Sequence, residues 1–187
     1  IMDKNMDGKE IAALHGTVDD YFSELAPLPQ QTVVTDAKGV EMAMADLFPI
    51  MIERFASHRD GDGKLMFVGN GASAAMASHM ALDFSKNGKV PALAFNDAVA
   101  LTALSNDEGY DQVFSKQIEY FATKGDLLIA ISSSGNSDNI INAVQAARAK
   151  GCDVLTLSGI GPDNKLRKLG DYNLYVPSRE YGFVEVV

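Results

Sequence analysis

The chain has 187 residues, of which 47% are apolar, and a net charge of −9 at pH 7. This length is enough for one α/β domain with a sizeable core, and the negative charge disfavours nucleic acid and anionic membranes as partners. The single cysteine, Cys152, excludes a disulfide framework, and no apolar run approaches the ~18–20 residues that span a bilayer. Since no signal-peptide pattern opens the chain, we expect a cytoplasmic protein.

The first 60 residues carry the pattern of two helices. Apolar residues at three- and four-residue spacing predict an amphipathic helix over 10–25, which the segment 26-APLPQQ-31 ends. A second helix is predicted at about 40–58. Both precede the regular alternation of strands and helices. We therefore interpret residues 1–60 as an N-terminal helical extension of a single domain that spans residues 1–187.

After Gly63 the pattern changes to short apolar segments that alternate with helices. Continuous apolar strands joined by helices are typical of a parallel sheet that is covered on both faces. Right-handed crossovers then predict an α/β fold with a doubly wound, five-stranded parallel sheet. The predicted strands are 64–69, 91–95, 126–132, 153–159 and 172–177.

Two loops at the carboxyl ends of predicted strands have unusual compositions, 67-FVGNGAS-73 and 129-IAISSSGNS-137. Ligands of open α/β sheets bind at this edge. A helix N-terminus offers unpaired N–H groups, a glycine such as Gly71 lets the backbone approach a ligand, and serine hydroxyls add donors. Phosphate can be held in this way without lysine or arginine. The best donors by this reasoning are Ser132, Ser134 and Ser137, with Ser133 close by.

Other interpretations of these loops stay open. Ser137 has the position of an ordinary helix cap. The spacing Gly69-x-Gly71-x-x-Ala74 also fits a dinucleotide fingerprint, with Asp97 as a ligand for a ribose hydroxyl. A dinucleotide fold does not need the second anion-binding loop, whereas a phosphorylated sugar would use both.

On these residues the chain resembles the sugar isomerase (SIS) domain and, within it, the phosphoheptose isomerases. The resemblance covers roughly residues 10–187. It implies an isomerase that converts sedoheptulose 7-phosphate to D-glycero-D-manno-heptose 7-phosphate, for heptose and lipopolysaccharide precursor synthesis. The motifs that carry it are 69-GNGAS-73, His79 with an acidic residue four positions on, 105-SNDEGY-110, 132-SSSGNS-137 and 176-VPSREYG-182.

The resemblance also implies roles for particular residues. Ser73, Ser132, Ser134 and Ser137 would hold the phosphate, with Ser133 near it, and Asn70 and Asp97 would contact the sugar. His79 and Asp83, one turn apart on a helix, would bind Zn²⁺, and Asp83 would also act as the base. The family is a homotetramer whose sites lie between subunits. The implied partners are therefore a phosphorylated sugar and further copies of the chain.

Two departures from the family pattern bear on catalysis. Asp83 stands where the family has a glutamate, so its carboxylate is ~1.5 Å shorter in reach. Val184 stands about where a glutamine is expected, and Glu185 matches an acidic position of the family. No histidine follows Glu185 before Val187, so either the sequence is truncated before the family's second histidine or this relative lacks it. These departures favour the alternative that the chain is a non-catalytic phosphosugar-binding module, like a relative that associates with the bacterial replication initiator.

Overall fold

The structure, a computed structural model, describes residues 18–61 and 63–187. The part of the predicted first helix before residue 18 lies outside these residues. The helices are α1 (18–25), α2 (Leu28–Gln31), α3 (Met44–Asp60), α4 (Ala72–Lys86), α5 (Ala98–Asp107), α6 (Val113–Phe121), α7 (Asp138–Ala149) and α8 (Tyr181–Val186). Short 3₁₀ turns lie at Tyr110–Gln112 and Leu166–Lys168.

The strands form one mixed sheet of seven. They are β1 (Val33–Asp36), β2 (Glu41–Met42), β3 (Leu65–Val68), β4 (Ala92–Ala94), β5 (Leu127–Ser132), β6 (Asp153–Ser158) and β7 (Tyr172–Tyr175). Their order is β2-β1-β7-β6-β5-β3-β4, and the pairings from β7 to β4 are all parallel. The predicted α/β fold and its five parallel strands are confirmed.

The strand count of five was too low, because β1 and β2 extend the sheet beside β7. Both pair antiparallel, β1 with β7 and with β2. Their turn is fixed by the Asp36 carboxylate, which accepts hydrogen bonds from the backbone N–H groups of Lys38 (2.8 Å) and Val40 (2.9 Å). Strands β1 and β2 have 4 and 2 residues, so neither contains an apolar run long enough to predict a strand. The predicted second helix therefore begins at Met44 rather than near residue 40.

Helices cover both faces of the sheet, as a doubly wound fold requires. All six residues of β5 are buried. Its Leu128 packs with Phe114 of α6 and Ile140 of α7 on one face, while Leu127 packs with Ala77 of α4 on the other. Full burial of each large apolar side chain contributes roughly 1.5–3 kcal/mol.

The segment before β3 also packs against the sheet. Leu47 and Met51 of α3 contact Val34 of β1 in a third apolar cluster. The division at residue 60 into an N-terminal extension and a core stays a prediction. Within the described residues, no helix is both long and apolar enough to cross a membrane.

The buried carboxylate of Asp126 joins the starts of the neighbouring strands β3 and β5. It accepts hydrogen bonds from the backbone N–H groups of Lys64 (3.0 Å) and Thr123 (2.7 Å), and it pairs with the Lys64 ammonium. Burial alone would raise the pKa of Asp126, but the hydrogen bonds from Lys64 and Thr123 outweigh burial and hold the pKa below its usual value.

We expect Asp126→Asn to lower the free energy of unfolding by about 1–3 kcal/mol at pH 7, because an amide cannot accept all of these bonds. Since the folded-state pKa is lowered, the carboxylate stabilises the fold above pH ~4, and this stabilisation is lost as the pH falls through the folded-state pKa. The difference from the wild type should therefore shrink at acid pH. Urea unfolding at several pH values measures it, with the exposed Asp163→Asn as control. An equal loss at every pH would contradict the prediction.

Candidate functional site

A cleft at the carboxyl edge of the sheet brings the two predicted loops together. It encloses about 240 Å³. The loops meet because β3 and β5 are adjacent parallel strands that end side by side. The cleft is lined by Asn70, Gly71, Ala72 and Ser73 after β3, by Ile131, Ser132, Ser133, Ser134 and Ser137 at and after the end of β5, and by Tyr181 and Glu185 of α8.

The serine loop, 132-SSSGNS-137, groups the hydroxyls of Ser134 and Ser137 around that of Ser132. Its Oγ lies 3.4 Å from Ser137 Oγ and 3.5 Å from Ser134 Oγ. Ser137 occupies the N-cap position of α7, yet its side chain makes no capping hydrogen bond. The cap interpretation of Ser137 is therefore insufficient, because the hydroxyl points into a cluster of other donors. Such a cluster at a helix N-terminus can hold a phosphate group.

The first loop brings a second helix N-terminus to the same cleft. Gly71 precedes α4 with φ +57°, and a Cβ added there would meet no atom within 4 Å. A ligand can therefore approach this backbone closely. At Gly69 a Cβ would lie 2.6 Å from the backbone of Ser73, so this turn requires glycine. Ser73 is buried in the first turn of α4 and lines the cleft.

The segment after β6 supports the serine loop. Leu166 donates its N–H to Gly135 O (2.9 Å), and Gly159 donates to Ser133 O (3.1 Å). Gly135 has φ +62°, and a Cβ at this position would overlap the buried side chain of Asn164. The loop thus owes its conformation to a glycine and to contacts far along the chain.

Asn70 is held by two residues that the prediction did not include. Its side chain forms a reciprocal pair with Asn139 (3.0 and 2.9 Å), and the Tyr110 hydroxyl donates to Asn70 Oδ1 (3.0 Å). Asn139 is buried in the first turn of α7. The sequence offered one signal for Asn139, which is its position two residues after Ser137 at the end of the serine loop. Tyr110 belongs to the motif 105-SNDEGY-110, but no role was predicted for it.

Asp97 lies outside the cleft lining. Its side chain caps α5 and accepts a hydrogen bond from Ala100 N (2.9 Å). The dinucleotide interpretation needs this carboxylate for a ribose hydroxyl, so the cap weakens that interpretation. The contact of Asp97 with a sugar stays a prediction.

His79 and Asp83 lie next to each other on α4, but neither lines the cleft. His79 Nε2 is 3.3 Å from Asp83 Oδ2, and the two side chains are 71% and 42% exposed. The other carboxylate oxygen of Asp83 accepts a bond from Asn87 (3.2 Å). A single chain therefore does not bring the predicted base to a ligand in its own cleft.

The same pair does not complete a zinc site. Zinc in proteins takes three or four protein ligands. Over residues 18–61 and 63–187, no three His, Cys, Asp or Glu side chains come together in a way that could hold a metal ion. His79 and Asp83 supply two donors at most, so the described residues of one chain do not fit the predicted Zn²⁺.

The acidic group that does line the cleft is Glu185. It lies one helical turn after Tyr181 on α8, and both face the loops. Val184 instead packs against Gly159 and lines a neighbouring apolar cavity of about 370 Å³. The resemblance placed Val184 about where the family has a glutamine, and Glu185 at an acidic position of the family that is structural or close to the site. In the structure the side chain of Glu185, and not that of Val184, lines the cleft.

Cys152 has no part in the cleft. The thiol is buried, and burial raises its pKa to about 11. At neutral pH it is therefore protonated and a poor nucleophile, which agrees with its interpretation as a packing residue.

The chain is similar to known proteins in both sequence and structure. The SIS domain model matches residues 20–159. Phosphoheptose isomerase of Aliarcobacter butzleri is 47% identical over 123 residues, which cover 63% of this chain and 65% of the relative. The phosphoheptose isomerase of Helicobacter pylori is 38% identical over 168 residues, which cover 86% of this chain and 84% of the relative. The structure of phosphoheptose isomerase GmhA from Neisseria gonorrhoeae matches with a TM-score of 0.77 and 33% identity, over 92% of each chain.

The chain therefore belongs to the SIS domain family. Within that family, the relatives that it resembles are phosphoheptose isomerases. The match spans slightly less than two thirds of the length of the Aliarcobacter relative.

We expect Gly135→Ala to lower the free energy of unfolding by about 1–3 kcal/mol, because the alanine must hold a left-handed conformation and displace Asn164. It should also weaken the binding of inorganic phosphate, since the serine loop shifts. Gly39→Ala is the matched control: Gly39 has φ +77°, but a Cβ there meets nothing within 4 Å. Urea unfolding and calorimetric phosphate titration measure both variants. Equal phosphate affinity in the two variants would contradict this account of the loop.

Proposed function

We propose that the chain is a ketose/aldose isomerase that converts sedoheptulose 7-phosphate to D-glycero-D-manno-heptose 7-phosphate. The observation that carries the proposal is the cleft in which the serine hydroxyls meet the N-termini of α4 and α7. The relatives named phosphoheptose isomerase support the choice of substrate.

Phosphate binding in this cleft relies on neutral donors. Among the residues that the structure describes, the lining contains serine hydroxyls and backbone N–H groups but no lysine or arginine. Hydrogen bonds to a charged group are worth about 1.5–3 kcal/mol each. Several such bonds outweigh the repulsion from a chain with net charge −9, because salt screens distant charges while the donors are in contact. With the phosphate at the serine loop, the sugar extends toward Asn70 and Glu185.

Isomerisation requires a base that removes the proton beside the carbonyl group and returns it to the neighbouring carbon. Two carboxylates qualify. Asp83, beside His79, is the predicted base, and we propose that this pair serves the cleft of a neighbouring subunit in a homotetramer. Exposed apolar residues on the same helix, Met80 (38%) and Leu82 (60%), support a subunit contact there. Glu185 is the alternative, since it lines the cleft of its own chain.

Zinc and a cytoplasmic location stay predictions. Because the described donors of one chain do not complete a zinc site, no step of the proposed reaction depends on the metal. A zinc ion at His79 and Asp83 would need ligands from elsewhere in the assembly.

The direct test is to incubate the purified protein with sedoheptulose 7-phosphate in deuterated water. We expect the aldose phosphate to form, with deuterium incorporated at the carbon that exchanges its proton. Ser132→Ala should raise KM about tenfold or more, because it removes one donor to a charged phosphate. Saturable binding of the phosphosugar without product or deuterium would instead favour the non-catalytic binding module.

A complementation experiment tells the two carboxylates apart. We expect Asp83→Asn and a Ser132→Ala/Ser137→Ala double variant each to be nearly inactive. Co-expressed in one cell, they should regain part of the activity, because some mixed sites unite an intact cleft with an intact Asp83. Glu185→Gln is co-expressed with the same double variant for comparison. If Glu185 is the base, Glu185→Gln is the inactive carboxylate variant, and it cannot be complemented because Glu185 shares its cleft with the serines. Absence of complementation by Asp83→Asn would rule out a site shared between subunits.

A further inference from the structure

The side chain of Asn70 is fixed by residues from two other elements. Asn70 Nδ2 donates to Asn139 Oδ1 (3.0 Å), and Asn139 Nδ2 donates back to Asn70 Oδ1 (2.9 Å). The Tyr110 hydroxyl, from the 3₁₀ turn before α6, donates to the same Oδ1 (3.0 Å). Asn139 is only 4% exposed. The pair therefore links the loop after β3 to the first turn of α7, through one half-buried and one buried side chain that hydrogen-bond to each other.

This arrangement decides what Asn70 offers to a ligand. An amide oxygen has two lone pairs, and an amide nitrogen has two N–H groups. Both lone pairs of Oδ1 are occupied by Asn139 and Tyr110, while Nδ2 uses one N–H on Asn139 and keeps the other. Asn70 thus faces the cleft as a donor. Without these neighbours the amide could rotate and present its oxygen.

We propose that Asn139 and Tyr110 are positioning residues that hold Asn70 as a hydrogen-bond donor to an oxygen of the reacting carbon pair of a phosphosugar. This inference rests on the proposed isomerase function. It assigns Asn139 and Tyr110 a role in the chemistry of the sugar rather than in the binding of its phosphate.

The donor acts on the charge that develops during isomerisation. The base takes the C–H proton, the C–H electron pair becomes the C=C bond, and the electron pair of the C=O bond moves onto its oxygen. The hydroxyl proton on the carbon that lost its hydrogen then moves to this oxygen, and the O–H electron pair forms the new C=O bond. The C=C electron pair takes the proton from the base onto the neighbouring carbon, which restores the base. A bond from Asn70 to the oxygen strengthens as that oxygen becomes anionic. Losing it should therefore lower kcat more than it raises KM.

Tyr110→Phe is the cleanest variant, because it removes one hydroxyl from a side chain that is 57% exposed. We expect kcat to fall about fivefold, with KM changed less than about twofold, since one hydrogen bond is lost. Tyr120→Phe is the matched control, on a tyrosine of α6 that is 64% exposed, and it should behave as the wild type. Asn139→Leu should lower kcat about tenfold or more, because it removes both bonds of the pair.

A double variant tests whether Tyr110 acts through Asn70. If it does, Tyr110→Phe should have no further effect on kcat in an Asn70→Ala background, because residues that act as one unit are not additive. Independent fivefold losses would overturn the proposal. A fall in melting temperature alone, with kcat unchanged, would assign Asn139 a purely structural role.

An equilibrium measurement separates this inference from the proposed reaction. A phosphorylated hydroxamate of the same chain length mimics the enediolate, while inorganic phosphate probes the serine loop alone. We expect Tyr110→Phe and Asn139→Leu to weaken binding of the hydroxamate about fivefold or more and to leave phosphate binding unchanged. Equal loss for both ligands, or no loss for either, would contradict the positioning role. Failure of the wild type to isomerise sedoheptulose 7-phosphate would instead contradict the proposed function, and the binding comparison would still decide the role of Asn139 and Tyr110.

Discussion

The parallel pairing of β3 with β5 is the constraint on which the site depends. The register sets Leu65 beside Leu127 and Val68 beside Ala130, so both strands run toward the same edge of the sheet. Each is buried along its whole length and is held from both faces by helices. Gly69 and Ser132 therefore emerge side by side, and the N-termini of α4 and α7 reach one cleft. If another strand lay between β3 and β5, the donors of the two loops would be too far apart to bind one ligand.

Contacts beyond the sheet then convert neighbouring loops into a defined site. The Asn70–Asn139 pair joins the loops across the cleft, and the backbone bonds to Gly135 and Ser133 anchor the serine loop to the segment after β6. Buried polar groups are costly unless they are paired, so these bonds specify one arrangement as well as stabilising it. The cleft is accordingly formed before any ligand binds. This suits the recognition of phosphate by neutral donors, because donors already in place need little reorganisation.

The five parallel strands and the two loops that meet at the cleft could be predicted because their signals are local. Apolar runs mark buried strands, and glycines and serines at strand ends mark ligand loops. The parts that could not be predicted depend on long-range geometry. Strands β1 and β2 are too short to leave an apolar pattern. Asn139 functions through a residue 69 positions away. On α8, the resemblance matched Glu185 to an acidic position of the family without giving it a definite role, and only the structure shows that Glu185 lines the cleft.

In the proposed assembly, catalysis requires the subunits to associate, because the His79–Asp83 pair lies away from the cleft of its own chain. An exposed carboxylate in water is a weak and poorly directed base, since the high dielectric screens its neighbours and the substrate cannot be held against it. Met80 and Leu82 flank the pair on the exposed side of α4. Because Met80 and Leu82 are 38% and 60% exposed, burying the rest of these side chains against a second copy would contribute roughly 0.5–2 kcal/mol each. The same contact would remove water from His79 and Asp83 and bring them against a sugar held elsewhere. In that arrangement the apolar contact that drives assembly also activates the base, so the isolated chain would bind its ligand but convert it poorly.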